Sequence, residues 1–465
     1  MSPRLAVIGL DCAEPSLVFE RWREDLPNLR ALIERGAWGR LRSTDPPITV
    51  PAWSCMMTSQ DPGQLGVYGF RNRQDYSYNG LGVADARAVR PPRLWDRLGD
   101  AGKHVIVQGV PQTYPPAPVN GELVSCFLTP NPRQDAYTYP PGLRDELEEL
   151  VGAYEVDVRN YRHDDRDRIL AEIYAMTEQH FEAARHLLDT RPWDFFMLVE
   201  IGVDRIHHAF WSYLDPSHPK YVPGHRYQDV IHSYYQYLDD EIGELLSRFD
   251  DETTVLVVSD HGAQAMRGAV CINEWLRQEG YLVLREEPEG SLPFSQAQVD
   301  WQRTRVWGEG GYYCRLCCNV AGREPQGIVP PEEFEGLRDE LIAKLEAMRG
   351  PEGEPLGNRV YRPADLWAAQ RGIPPDLIVY FGDLAWRSNG SLGHGNLFTF
   401  ENDTGPDDAN HAKDGLCILA GPGITPGELS GLSLYDIAPT VLRIFGLPIP
   451  EEMRGRVLPA LARSR

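Results

Sequence analysis

Acidic side chains stand at the ends of several apolar, strand-like runs of this 465-residue sequence. The side chains at these run ends are Asp11, Asp204, Asp260 and His261. In open α/β sheets, ligands bind at the carboxyl ends of the strands. If the three carboxylates meet there, each pair about 4 Å apart repels by about 4 kcal/mol at an effective dielectric of about 20. A bound cation would offset this repulsion, so the pattern predicts a metal site.

Histidines accompany two of these acids. Asp204 and His208 are four residues apart and would face the same side of one helical turn. His261 follows Asp260 directly, at a strand end where the backbone can splay adjacent side chains. A mixed Asp and His ligand set without an obligatory thiolate suits Zn²⁺, with Mn²⁺ or Fe as substitutes.

Apolar runs alternate with helical patterns along much of the chain. The runs are continuous rather than alternating, which indicates strands buried on both faces. They are Leu5–Gly9, His104–Val107, Phe195–Glu200, Thr254–Ser259, Leu377–Phe381 and Leu416–Ala420. Segments 169–184, 230–249 and 334–348 repeat apolar residues at helical spacing. The fold class is therefore predicted to be α/β, with a doubly wound, mostly parallel sheet flanked by helices.

One segment differs from the rest of the chain in its sequence pattern. From 266 to 375 the chain reads as strands punctuated by Gly and Pro plus one helix, and strands like those of the first half resume at Leu377. We interpret residues 266–375 as an inserted α+β subdomain. Residues 1–265 and 376–465 then form the catalytic α/β domain.

Composition argues against several classes of protein. Lys and Arg number 46 against 68 Asp and Glu, a net charge of −22 that repels phosphate backbones, so we expect no nucleic-acid duplex as partner. No stretch approaches the roughly 18 apolar residues of a membrane span. The eight cysteines are too sparse for a secreted disulfide scaffold, and residues 5–10 are too short for the core of a signal peptide. We expect a cytoplasmic protein, and the oligomeric state stays open.

Six stretches resemble, in the same order, motifs of the alkaline phosphatase superfamily, specifically its type I phosphodiesterase and nucleotide pyrophosphatase branch. The resemblance covers most of the chain. The stretches are Ile8-Gly9-Leu10-Asp11, Pro46-Pro47-Ile48-Thr49-Val50-Pro51-Ala52-Trp53, Asp204-Arg205-Ile206-His207-His208, Ser259-Asp260-His261-Gly262, Asn410-His411-Ala412-Lys413-Asp414-Gly415 and Asp436-Ile437-Ala438-Pro439-Thr440.

The resemblance implies an alkaline phosphatase-like fold and a two-metal site with Thr49 as the nucleophile. One ion would be held by Asp204, His208 and His411, and the other by Asp11, Thr49, Asp260 and His261. Taken alone, Thr49 is typical of a turn residue in a Pro-rich loop, and the matching motifs around it favour the nucleophile. His394 lies in the same long loop as His411 and competes for the last ligand place. The Lys413-Asp414-Gly415 context before a strand favours His411.

One departure from the family concerns the substrate. Nucleotide pyrophosphatases of this branch place a phosphate-binding Asn some way beyond the nucleophile, where this sequence has Phe70. The nearby Asn72 or Arg71 would then contact the non-bridging oxygens. An Arg favours a dianionic monoester, whereas an amide suits a singly charged diester.

The sequence thus predicts a metal-dependent phosphoric ester hydrolase, a phosphodiesterase or nucleotide pyrophosphatase that acts through a phosphothreonine on a small ester such as a nucleotide. Two divalent ions are expected as cofactors. The alternatives are a phosphomonoesterase or phosphomutase on the same scaffold, and a catalytically silent metal-binding protein. The insertion follows the Asp260-His261 strand and precedes His411, so both of its ends are tethered beside the metals. We expect it to form a lid.

Overall fold

The computed structural model describes residues 3–461. The strands, in chain order, are β1 (Arg4–Leu10), β2 (Ala37–Arg42), β3 (Arg71–Arg73), β4 (Leu81–Val83), β5 (Val105–Gln108), β6 (Gly121–Val124), β7 (Thr138–Tyr139), β8 (Phe195–Glu200), β9 (Thr253–Val258), β10 (Gly262–Ala265), β11 (Gly268–Cys271), β12 (Val306–Glu309), β13 (Cys314–Cys318), β14 (Arg359–Tyr361), β15 (Leu377–Tyr380), β16 (Trp386–Asn389), β17 (Phe398–Thr399), β18 (Ala409–Ala412), β19 (Asp414–Ala420), β20 (Gly427–Glu428) and β21 (Leu432–Ser433). The α-helices are α1 (Pro27–Arg35), α2 (Thr49–Thr58), α3 (Pro62–Leu65), α4 (Leu94–Asp100), α5 (Leu143–Val151), α6 (Arg166–Thr190), α7 (Gly202–Leu214), α8 (Val230–Leu246), α9 (Ile272–Gln278), α10 (Phe334–Glu346), α11 (Pro363–Leu366) and α12 (Ile437–Ile444).

The central element is a large mixed sheet. Within the described residues it has 10 strands, in the order β20-β2-β19-β9-β1-β8-β5-β6-β7, with β21 also paired to β2. The central strands β9, β1, β8, β5 and β6 run parallel to one another. Strands β19 and β7 run antiparallel to their neighbours. Because the middle strands are parallel, their carboxyl ends share one edge of the sheet, as the motif positions require.

Helices cover both faces of this sheet, and β1 shows why. Its residues Ala6, Ile8 and Leu10 pack into one apolar cluster with α1, α6, α7 and α8. Its residues Leu5 and Val7 pack into a second cluster with α2, α4 and α12. Burying each large aliphatic side chain contributes roughly 1.5–3 kcal/mol, so a strand that is apolar on both sides is stable only between two helical layers. The predicted α/β fold, with a mostly parallel sheet flanked by helices, is confirmed.

A smaller sheet follows the main-sheet strand β9 in the chain. Its order is β12-β13-β15-β14, and α9 and α10 share its apolar cluster. We expected Leu377–Phe381 to rejoin the main sheet, but β15 pairs with β13 and β14 of the smaller sheet instead. The run is continuously apolar because all four of its strand residues are buried, and burial alone does not reveal which sheet a strand joins. The predicted domain boundaries stay a prediction.

No helix within residues 3–461 combines the length and the apolar character that crossing a membrane requires.

Candidate active site

Strand β1 and helix α2 bring Asp11 and Thr49 to the same edge of the sheet. Asp11 directly follows β1, and Thr49 is the first residue of α2. One turn into α2, the indole Nε1 of Trp53 donates a hydrogen bond to Asp11 Oδ2 at 2.7 Å. The close approach of α2 to β1 needs Gly9, because a Cβ there would lie 2.6 Å from Trp53 Cη2. The Ile8-Gly9-Leu10-Asp11 stretch therefore fixes the helix that carries Thr49.

Thr49 lies in a buried helical turn and not in the Pro-rich loop that its neighbours suggested. Its side chain is only 2% exposed. Pro51 is compatible with this position because the N–H groups of a first helical turn lack intrahelical acceptors. The amino end of a helix also carries the positive end of the helix dipole. The fold thus places the Thr49 hydroxyl where negative charge on its oxygen is favoured.

An antiparallel ribbon brings His411 to His261. Strands β10 and β18 pair with Ala263 opposite His411, close after the end of β9. As a result the imidazole rings of His261 and His411 stack with centroids 3.7 Å apart. Because these two residues are distant in the sequence, they lie side by side through the register of the ribbon.

His394 lies elsewhere. Its Nε2 is 3.3 Å from Ser291 Oγ and 3.2 Å from Asn389 Nδ2. Of the two histidines that competed for the last ligand place, the structure brings His411 to the cluster.

The first ligand group consists of Asp204, His208 and His411. Asp204 and His208 lie one turn apart on α7, and His208 Nε2 is 3.1 Å from Asp204 Oδ1. His411 Nε2 is 3.3 Å from His208 Nε2 and 3.8 Å from Asp204 Oδ1.

The second ligand group consists of Asp11, Thr49, Asp260 and His261. His261 Nε2 is 3.1 Å from Asp260 Oδ2, 3.9 Å from Asp11 Oδ1 and 3.2 Å from Thr49 Oγ1. The two groups adjoin, since ligand atoms of Asp204, His261 and His411 also lie within 4.8 Å of one another. The structure thus assembles all seven residues that the resemblance assigned to metal binding.

The three histidines are held in one tautomer. His208 donates from Nδ1 to Asp407 Oδ1 at 2.7 Å, His411 to the carbonyl oxygen of Pro47 at 2.8 Å, and His261 to the carbonyl oxygen of Gly262 at 3.1 Å. In its neutral form each ring then has its Nε2 lone pair free, and the three Nε2 atoms converge. This is the arrangement of histidines that ligate metals.

The buried carboxylates are also suited to a cation. Asp11 Oδ1, Asp204 Oδ1 and Asp260 Oδ2 are buried and accept no hydrogen bond. Burial and the charge of Asp204 raise the pKa of Asp11, and burial and the charge of Asp11 raise the pKa of Asp260. Burial acts against ionisation of Asp204 too, but His208 and Arg205 outweigh it and hold its pKa well below its usual range. Buried acceptors without donors are costly, and divalent ions bound at the two ligand groups would satisfy all three.

The imidazole groups respond to the same surroundings. Burial lowers the pKa of His261 to about 4 and that of His411 well below its usual range. Burial lowers the pKa of His208 as well, but the charges of Asp407 and Asp204 reverse the effect and raise it. Neutral imidazoles are the form that ligates metals, so His261 and His411 already favour that form, whereas a metal bound at His208 would displace its Nε2 proton.

A cavity of about 370 Å³ opens beside Thr49. Arg71, one of the two predicted substrate-binding residues, lines it together with Phe70. Asn72 does not line this cavity, because its amide is used inside its own turn: Oδ1 accepts from the Tyr68 N–H at 2.7 Å and Nδ2 donates to the Gly69 carbonyl at 3.2 Å. The structure therefore gives Arg71, and not Asn72, access to a ligand beside Thr49.

Asp407, Tyr312 and Arg162 form a supporting layer that the sequence did not reveal. Asp407 binds His208 Nδ1 through one oxygen, and its other oxygen accepts from Arg162 Nε at 2.8 Å and from the Tyr312 hydroxyl at 3.1 Å. The Tyr312 ring packs against His411 with centroids 4.4 Å apart. Asp407 lies shortly before His411 in a loop rich in Asp and Asn, where nothing distinguishes one acid from another.

Asp407→Asn is expected to weaken metal binding by about 10–100-fold, since removal of a carboxylate that orients a metal-ligating histidine has effects of this size. Metal titration of the apo protein measures it. Asp189→Asn, which changes an exposed acid on α6, is the matched control. Equal metal affinity in Asp407→Asn and the control would show that Asp407 does not orient His208.

Comparisons with known proteins agree with this geometry. The model of the family "Type I phosphodiesterase / nucleotide pyrophosphatase" matches residues 5–407. Human ectonucleotide pyrophosphatase / phosphodiesterase 5 has a similar fold, with a TM-score of 0.54, 12% sequence identity and coverage of 96% of each chain. No curated protein sequence matches the chain significantly. With its alkaline phosphatase-like fold and its candidate metal-binding clusters, the chain belongs to the type I phosphodiesterase / nucleotide pyrophosphatase family and is a hydrolase of that type.

Proposed function

We propose that this chain hydrolyses small phosphoric esters through a covalent phosphothreonine at Thr49, with two divalent metal ions at the two ligand groups and Zn²⁺ as the preferred ion. The observation that carries the proposal is the position of Thr49. Its hydroxyl oxygen lies 3.2 Å from His261 Nε2, at the edge of the cluster and open to the cavity. A hydroxyl is a weak nucleophile unless a neighbouring group or metal activates it.

Asp204, His208 and His411 would hold one ion, and Asp11, Thr49, Asp260 and His261 the other. When bound, a pair of such ions supplies positive charge that acidifies a hydroxyl and stabilises the attacking and leaving oxygens of an in-line displacement. The protein supplies orientation: Trp53 fixes Asp11, Asp407 fixes His208, and the Pro47 carbonyl fixes His411. These contacts hold the groups before substrate arrives, which lowers the cost of ordering them.

The reaction has two displacements. In the first, the bond from Thr49 Oγ to phosphorus forms as the phosphorus–oxygen bond to the leaving alcohol breaks, and the alcohol leaves with a proton. In the second, water attacks the same phosphorus, the bond to Thr49 Oγ breaks, and the threonine hydroxyl is restored. The amino end of α2 favours negative charge on Oγ in both steps.

Residues 310–313 contribute Gly310, Gly311, Tyr312 and Tyr313 to the cavity wall. We propose on this basis that the inserted subdomain acts as a lid that shapes the substituent side of the cavity.

Turnover of bis-p-nitrophenyl phosphate and of p-nitrophenyl phosphate, together with bound metal, tests the proposed function. A phosphodiesterase turns over the diester faster. Faster turnover of the monoester would favour the phosphomonoesterase alternative, which the access of Arg71 to the cavity supports. Bound metal without turnover of either ester would contradict the hydrolytic proposal.

Removal of metal is expected to destabilise the fold, because the buried carboxylates of Asp11 and Asp260 would then lie close together without a cation. A ligand present at about 1,000 times its Kd contributes about 4 kcal/mol to stability. Thermal unfolding with and without a chelator, followed by re-addition of Zn²⁺, measures the change in Tm. An unchanged Tm after complete removal of metal would contradict binding of the ion at these carboxylates.

A further inference from the structure

The cavity beside Thr49 has more cationic than anionic side chains in its wall, although the whole chain carries a net charge of −22. Its lining arginines are Arg71, Arg162, Arg205, Arg315 and Arg387, and its lining aspartates are Asp157 and Asp204. An excess of one sign of charge in a cleft concentrates ligands of the opposite sign. A guanidinium group that is already paired with a carboxylate is less available to such a ligand.

Three of the arginines already have carboxylate partners. Arg162 Nε lies 2.8 Å from Asp407 Oδ2. Arg205 pairs with Asp157 at 2.6 Å and also with Asp204. Arg387 pairs with Asp403 at 3.2 Å. These pairs neutralise their charge and tie them to the cavity wall.

Arg71 and Arg315 are different. Across residues 3–461, no carboxylate lies within 4.0 Å of either guanidinium group. Glu309 stands opposite Arg315 in the register of β12 and β13 and attracts the charges of both arginines, but it lies beyond ion-pairing distance of either. The two arginines are neighbours, since the Arg315 guanidinium donates to the backbone carbonyl of Arg71.

The two arginines differ in their exposure to water. Arg315 is partly buried in β13, whereas Arg71 is exposed at the start of β3. For Arg315, partial burial without a carboxylate in direct contact is costly, and the planar fork of donors on either arginine matches a phosphate or carboxylate. The phosphoryl group that reacts would be held at Thr49 and the ligand groups, so a second anion would satisfy this pair.

We propose that Arg71 and Arg315 bind a second anionic group of the substrate, a phosphate or a carboxylate, in addition to the phosphoryl group that reacts. This inference rests on the proposed function for the place of the first phosphoryl group. It restricts the substrate class to small esters with two anionic groups, a size that a cavity of about 370 Å³ accommodates.

Three non-hydrolysable probes test the inference by calorimetric titration of the metal-loaded protein: propylphosphonate, propane-1,3-diylbisphosphonate and 4-phosphonobutanoate. The wild type is expected to bind one or both of the two-anion probes at least about 10-fold more tightly than propylphosphonate, because charge-assisted hydrogen bonds contribute at this level. The bisphosphonate and the carboxylate probe together tell which anion is preferred. In the double variant Arg71→Gln/Arg315→Gln, the affinity for a two-anion probe divided by that for propylphosphonate should fall to about 1.

The control is Arg35→Gln, which changes an exposed arginine on α1 and should keep the preference. Metal content is measured for every variant, so that loss of metal is not mistaken for loss of the anion site. If the double variant fails to fold, Arg71→Gln alone, at an exposed position, should reduce the preference. Equal binding of all three probes by the wild type, or an undiminished preference in the folded variants, would overturn the inference. Because the readout is binding, it stands whether or not Thr49 is the nucleophile.

Discussion

Thr49→Ala is expected to lower kcat by about 10³-fold or more while the fold and most of the bound metal remain. Losing a nucleophile that acts together with its activating groups has effects of this size. The fold should persist because, within residues 3–461, the Thr49 hydroxyl has one side-chain hydrogen-bond partner, His261 Nε2. Steady-state kinetics on bis-p-nitrophenyl phosphate, with metal analysis of the same sample, measures both quantities.

Two further variants sharpen this test. Thr49→Ser should restore part of the activity, since the chemistry needs the oxygen and not the methyl group. Thr58→Ala is the matched control: Thr58 is a buried threonine on the same helix whose hydroxyl donates to the Ser54 carbonyl at 2.8 Å. Near wild-type activity in Thr49→Ala would mean that water attacks the substrate directly, and the covalent mechanism would be wrong.

If two ions bind as proposed, His411→Ala is expected to cost the protein one of them. His411 Nε2 is 3.3 Å from His208 Nε2, and its other ring nitrogen is fixed by the Pro47 carbonyl. A group of one aspartate and one histidine would remain, too few protein ligands for a tightly held Zn²⁺. Counting bound metal after gel filtration in metal-free buffer gives the stoichiometry directly, and turnover should fall with it.

His394→Ala provides the comparison, because the same long loop carries both histidines. His394 contacts Ser291 and Asn389 away from the ligand groups, so both ions should remain bound. Full occupancy in His411→Ala together with loss of an ion in His394→Ala would overturn the assignment.

The sequence predicted the parts of the site that depend on single strands. Asp11, Asp204 and Asp260 each come close after a continuous apolar run, and parallel strands of one sheet end at a common edge. The spacing of Asp204 and His208 likewise needed only the helical repeat. Such local patterns determine where a side chain stands on its element, so the fold class and these ligands followed from them.

Other parts depend on long-range register. His411 reaches His261 through the pairing of β18 with β10, next to that of β19 with β9. The sequence alone did not decide between His411 and His394. Arg315 lies on β13, and the pairing of β13 with β15 helps to hold it at the cavity. These two strands are far apart in the chain, so the sequence does not reveal their pairing. Neither juxtaposition leaves a periodic pattern in the sequence.

Hydrogen bonds within its own turn explain why Asn72 does not reach the cavity and Arg71 does. Both lie near the position where the family places its phosphate-binding residue, and the sequence offered no ground to choose. In the structure the Asn72 amide satisfies backbone groups of the turn from Tyr68 to Gly69. A short polar side chain is well suited to such local bonds, whereas the long arginine at the preceding position extends to the cavity.

The most direct test of the central claim is to trap the covalent intermediate. The wild-type protein is mixed with a ³²P-labelled substrate ester, quenched in acid during turnover and digested, and the labelled peptide is identified by mass spectrometry. We expect phosphate on Thr49, and no label in Thr49→Ala treated in the same way. Phosphate on any other residue, or active turnover with no labelled peptide under conditions that preserve phosphothreonine, would contradict the mechanism.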